Sequence, residues 1–128
     1  VADSRVGHFR ESIEISPLAG GATHRVDALV DTGATYTWIP RDILDTLGIV
    51  AGREQPFILA DGQQVTYPVA WIRARLRGRA DPTLVVFGEP GSEPILGVVT
   101  LEEHGLGVDP VNRRLIPVPG LLKSGRAA

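Results

Sequence analysis

Apolar and polar residues take turns along much of this chain, with the period of two that marks a strand having one buried and one wet face. Between His8 and Ser16, Phe9, Glu11, Ile13 and Ile15 alternate with Arg10, Ser12 and Glu14, imperfectly but at a strand's period. Pro17 to Ala22 reads as a turn, and His24 to Val30 returns as a second strand, so the two make a hairpin whose far end delivers Asp31. Tyr36 to Ile39 is a short β-prone run closed by Pro40. Arg41 to Leu47 instead puts Ile43, Leu44 and Leu47 at helical spacing, with Gly48 placed to stop a short helix. Phe57-Ile58-Leu59-Ala60 and Gln64-Val65-Thr66-Tyr67 flank Asp61-Gly62, the strongest hairpin signal present. Val69 to Leu76 and Thr83 to Phe87 are two more strands joined through 77–82, and Gly88 to Glu93 is a polar loop. After Pro94-Ile95-Leu96-Gly97, Val98 to His104 reads as a helix stopped by Gly105. Asp109-Pro110 turns the chain toward a last strand, Leu115 to Val118. Residues 1–120 are expected to form one domain and 121–128 a disordered tail.

Composition sharpens this into an all-β expectation. The chain has 128 residues, 43% hydrophobic and 22% charged, which suits one globular domain with a real core. Its 15 glycines and 10 prolines favour many short strands and tight turns over long helices. A net charge of −2 argues against a nucleic-acid footprint, which needs clustered Lys and Arg. Arg73, Arg75, Arg77 and Arg79 come nearest to one, but they alternate with Ile72, Ala74 and Leu76 and read as the wet face of a strand. There is no cysteine, so no disulfide can form; this fits a reducing compartment, and a cytoplasmic location is expected. No apolar run approaches the roughly 20 residues of a membrane span, and no signal-peptide pattern opens the sequence as given.

The chemistry centres on Leu29-Val30-Asp31-Thr32-Gly33-Ala34-Thr35, which puts a carboxylate at the end of an apolar strand and follows it with a tight turn. Such an acid needs a partner or a task, because an unpaired carboxylate in apolar surroundings is costly. Its plainest reading is a turn carboxylate capping nearby backbone N–H groups. The other is that its partner is the same Asp31 of a second copy, since no second Asp-Thr-Gly occurs. His8, His24 and His104 lack metal-ligand spacing and read as surface or internally satisfied histidines, so no metal and no cofactor is expected. Trp38 and Trp71 read as core or interface residues, and Glu102 and Glu103 as a solvated helix face.

Asp31-Thr32-Gly33-Ala34 after an apolar strand, the Asp61-Gly62 hairpin, and Ile95-Leu96-Gly97 before a short helix together resemble the retropepsin-like aspartic proteases of clan AA, in particular single-domain prokaryotic members. The likeness spans roughly residues 8 to 118 and implies a closed β-barrel of pepsin or retropepsin type with one or two short helices. It makes Asp31 the catalytic acid and Thr32 the hydroxyl that braces two catalytic loops across a dimer, with Gly33 leaving room for substrate backbone. Ala34 takes a place where other members often have Ser. Ala60, Asp61 and Gly62 become the tip of a flap over the substrate, and Leu96 and Gly97 the element threaded beside the catalytic loop.

Two carboxylates held close together cannot both ionise, and sharing one proton makes a base and an acid from identical residues. With one such Asp per chain, the resemblance implies a homodimer whose twofold axis passes between the two Asp31 side chains, acting on a peptide or protein substrate. Because Ala34 cannot donate a hydrogen bond to the carboxylate, activity is expected to peak in mildly acidic conditions. The alternative is a peptide-binding or dimerisation domain that keeps the fold without turnover.

Overall fold

The computed structural model describes residues 8–120, and the tail expected over 121–128 lies outside them. Within these residues the chain is mostly β-sheet with two six-residue helices. The order is β1 (Phe9–Pro17), β2 (His24–Val30), β3 (Thr37–Pro40), α1 (Arg41–Thr46), β4 (Arg53–Ile58), β5 (Gln64–Leu76), β6 (Arg79–Gly88), β7 (Ile95–Leu96), α2 (Val98–Glu103), β8 (Leu106–Asp109) and β9 (Arg114–Pro117).

One sheet runs β1-β2-β7-β3-β6-β5-β4, and β1 pairs a second time with β5; β8 and β9 form a separate antiparallel pair. Ala28, Leu29 and Val30 are all buried, so the end of β2 is covered on both faces and reads as a continuous apolar run, with β1 and β7 as its neighbours in the sheet. Its parallel pairing to β7, Leu29 opposite Ile95 and Val30 opposite Leu96, brings the two Gly-terminated apolar strands side by side.

Three strand limits differ from the sequence expectation. The hairpin around Asp61-Gly62 begins at Arg53 rather than Phe57 and includes Pro56, which an edge strand tolerates because one side of its backbone needs no partner. Gln64 to Leu76 is one continuous strand through Pro68, held by β4 along its first half and by β6 and β1 along its second. β6 starts at Arg79, so the expected loop over 77–82 shrinks to a turn with Arg77 and Gly78 at positive φ. The short strand β8 follows Gly105 where no element was expected.

β6 shows how the core is divided. Val85 and Phe87 face the main cluster with Ile13, Ile15, Val30, Ile72 and Leu96. Leu84 and Val86 face the other way, joining Val69 beneath Tyr36, Trp38, Phe57 and Tyr67. The second cluster lies under the β4–β5 hairpin and floors the region where the site is built. Trp38 is half-buried there, whereas Trp71 is 52% exposed and belongs to neither cluster. Among the described residues no helix is long and apolar enough to cross a membrane.

Candidate active site

Strand β2 ends at Val30, and the next residues fold back as a turn closed by the Ala34 amide donating to the Asp31 carbonyl at 3.0 Å. The Gly33 amide donates to Oδ1 of Asp31 at 2.9 Å, so the carboxylate caps its own turn, as the plain reading of that residue requires. The side chain is not sealed away: it is 25% exposed. Thr32 and Gly33 are exposed beside it, and Ala34 is half-buried.

The turn is tied to β7 and α2 by backbone alone. Asp31 N–H donates to the Leu96 carbonyl at 3.1 Å. The amides of Val98 and Val99 donate to the carbonyls of Ala34 and Thr35 at 2.9 and 3.0 Å. The first amides of a helix have no partner inside it, and here the acid-bearing loop supplies their acceptors. Gly97 makes this approach possible. Its φ of −93° suits any residue, but a Cβ there would meet the Tyr36 carbonyl carbon and oxygen at 2.5 Å.

Behind Gly97 runs a buried chain of hydroxyls. The Gly97 amide donates to Thr37 Oγ1 at 3.0 Å, Thr37 and Thr100 hydroxyls lie 2.6 Å apart, and Thr100 and Thr83 hydroxyls 2.8 Å apart. Thr83 then donates to Glu103 Oε1 at 2.7 Å. An amide can only donate and a carboxylate can only accept, so the ends set the direction of all the bonds between them. Glu103 is therefore not the free, solvated helix residue expected from its spacing. Its neighbour Glu102 is exposed as expected.

Facing the loop is the β4–β5 hairpin. Its turn closes through Gly62 N–H to the Leu59 carbonyl and Leu59 N–H to the Gln63 carbonyl, both at 2.8 Å, with Gly62 at φ 87° and Asp61 Oδ1 accepting the Gln63 amide. Between loop and hairpin lies an open cleft of about 530 Å³, lined among others by Gly33, Thr35, Trp38, Phe57 and Ala60. Asp61 and Gly62 sit at the exposed turn, and in the single chain neither they nor Asp31, Thr32, Ala34, Leu96 and Gly97 line the cleft, to which the predicted site contributes Gly33 and Ala60. Phe57 ties hairpin to loop, with its ring centroid 5.5 Å from Tyr36 in an edge-on arrangement and 6.5 Å from Trp38.

Two histidines behave differently from one another. His104 is buried, with ring nitrogens 2.8 Å from the Thr100 carbonyl and 2.9 Å from that of Ala74, an internal role as expected. His8, taken from spacing as a surface or satisfied residue, instead has Nε2 3.2 Å from Asp31 Oδ1. The signal for this was the hairpin register: Phe9 opposite Val30 puts His8 opposite Asp31. Without the turn length fixed, the sequence does not state that register. Among the described residues, no three His, Asp or Glu side chains gather as a metal site.

An acid-bearing loop threaded against a second apolar strand, beneath a hairpin, in a mostly β chain is consistent with a retropepsin-like fold. Among solved structures the chain is similar to the simian foamy virus (mac) protease, with a TM-score of 0.53 and 19% identity over 73% of this chain and 91% of that one. A model of the aspartyl protease family matches residues 17–100, and the chain belongs to that family. No curated protein matches the sequence.

Proposed function

We propose that this chain is a single-domain aspartic endopeptidase of the prokaryotic retropepsin-like type, active as a homodimer in which the Asp31 of each protomer forms the catalytic pair. The observation that carries the reading is Asp31 itself. In a chain of the aspartyl protease family, its carboxylate stands partly exposed on a loop braced by β7, beside a cleft roofed by a hairpin. The double pairing of β1, to β2 and to β5, supports reading the sheet as closed into a barrel.

In this reading the two carboxylates share one proton. The ionised one takes a proton from a water held between them as the water oxygen attacks the scissile carbonyl. The protonated one gives its proton to the carbonyl oxygen. Collapse of the resulting diol, with a proton passed to the amine nitrogen, separates the two peptide fragments. Thr32, exposed next to Asp31, braces the facing loops, and Gly33 leaves space for substrate backbone. The substrate lies extended between Ala34 on the loop side and Ala60, Asp61 and Gly62 of the flap, bonded through its main chain as an added strand. Leu96 and Gly97 hold the floor against the loop.

The test is a mixed peptide library incubated with the wild type and with Asp31→Asn, alongside size-exclusion at micromolar concentration. Cleavage by the wild-type dimer and none by the variant is the expected result. Equal cleavage by both points to a contaminant, and cleavage by neither from a well-folded dimer leaves a peptide-binding module.

A further inference from the structure

We propose that His8 is a positioning residue for the reaction, its Nε2 facing Oδ1 of Asp31 and orienting that carboxylate so that Oδ2 is left to the shared proton. This rests on the protease reading above.

The geometry that carries it is threefold. His8 Nε2 lies 3.2 Å from Oδ1, the same oxygen that accepts the Gly33 amide, so positive charge and a backbone donor converge on one carboxylate oxygen. Among the described residues no donor reaches Oδ2, which leaves it as the oxygen that carries or takes the shared proton. The two side chains are only 21% and 25% exposed, so water and salt screen the pair incompletely. The His8 backbone is also held in place: the guanidinium of Arg113, at the β8–β9 turn, donates from Nε to the His8 carbonyl at 3.1 Å and from a second nitrogen to the same oxygen, while the ring's Nδ1 is buried with no hydrogen-bond partner among the described residues. The hairpin register does the rest, because residues directly opposite on paired strands project on the same face.

The ionisable groups on the elements around the pair have other engagements. Arg10 on β1 pairs with Glu93 ahead of β7 and reaches the Asp27 carbonyl, and Glu11 pairs with Arg77. Arg113 faces the His8 carbonyl. Ala34, across the turn, offers no side-chain donor. His8 is thus the titratable side chain that touches the Asp31 carboxylate.

The sign follows from the charge. A cation beside a carboxylate opposes its protonation, so the acid limb of the rate profile lies at lower pH with His8 than without it. Side by side, kcat and KM would be measured against pH for wild type, His8→Leu and His8→Lys, with dimer content followed by size-exclusion. For His8→Leu the acid limb is expected to move up by about one pH unit. That is about a tenfold loss of kcat/KM at a pH on the limb, carried by kcat with KM unchanged. His8→Lys, which keeps a charge but not the ring, restores the wild-type limb. An unmoved limb in His8→Leu overturns the proposal, as does a loss that Lys fails to rescue, since that would make the ring a packing element. Absence of cleavage by the wild type overturns the protease reading and this one with it, whereas cleavage insensitive to His8 overturns this one alone.

Discussion

Gly97 and Tyr36 approach so closely that a methyl group on the glycine would stand 2.5 Å from the tyrosine's backbone carbonyl. Both sides of that contact are backbone, in β7's exit and the acid-bearing loop, so neither can swing away. Gly97→Ala must therefore push the loop off α2 and break the bonds from Val98 and Val99 to Ala34 and Thr35. A loss of about 2 to 3 kcal/mol is expected in urea denaturation, the scale of overpacking a well-filled site. A loss below about 0.5 kcal/mol would show that the loop relaxes without strain.

The hydroxyl chain makes a separate prediction. Thr100 sits between Thr37 and Thr83, and all three are buried. Thr100→Val keeps the shape and removes the central link, leaving the buried Thr37 hydroxyl proton without its acceptor and the Thr83 oxygen without its donor. It should destabilise by about 1 to 3 kcal/mol, while Thr100→Ser, which keeps the oxygen, should lose less. Chemical denaturation of the two variants decides it; a loss in Thr100→Ser as large as in Thr100→Val would show that the hydroxyl link adds no more than the packing of the methyl.

Phe57 is the hinge point of the hairpin's attachment, touching Tyr36, Trp38 and Tyr67 within centroid distances of 5.5 to 6.5 Å. Phe57→Ala removes the apolar link between roof and loop while leaving the β4–β5 hydrogen bonds intact. Amide exchange over 53–67 should accelerate by about tenfold or more, with little change in the main core, as expected of a locally opening unit. Acceleration spread evenly over the sheet would mean that the hairpin is not an independent unit.

Asp109, at the β8–β9 turn, gives a pH prediction of its own. Its carboxyl is held below the ordinary value of 3.8, first by the Asn112 side-chain amide, then by the Asn112 backbone N–H, with the Val111 amide and Arg114 adding to the effect. A depressed value stabilises the folded state above the ordinary value, and that contribution fades as pH falls below it. Asp109→Asn should therefore lower Tm at about pH 7, and the gap should close as the wild type is acidified through the range under 3.8. A gap that persists unchanged in acid would assign the effect to hydrogen-bond geometry instead of charge.

A mostly β chain with two short helices was legible because the evidence for it is local. Ile13 and Ile15 alternate with polar neighbours, Ile43, Leu44 and Leu47 repeat at helical spacing, and Asp61-Gly62 announces its turn. The misjudged limits, at Pro56, Pro68 and Pro82, share one cause. A proline interrupts the local strand pattern, yet each of these lies within a paired strand, at a position whose missing N–H the sheet accommodates.

What the sequence determined by itself was which residues are candidates for the chemistry and which segments deliver them: an acid after an apolar run, a glycine after another, a hairpin between. These follow from nearest-neighbour patterns that any stretch of chain expresses alone. Tertiary structure decided who meets whom. That His8 faces Asp31, that Glu103 ends a hydroxyl chain begun at Gly97, and that Gly97 must be glycine despite an ordinary φ all depend on strand register and on the distance between two backbones. Register and packing distance are settled only when distant segments bury one another, and no local pattern encodes them.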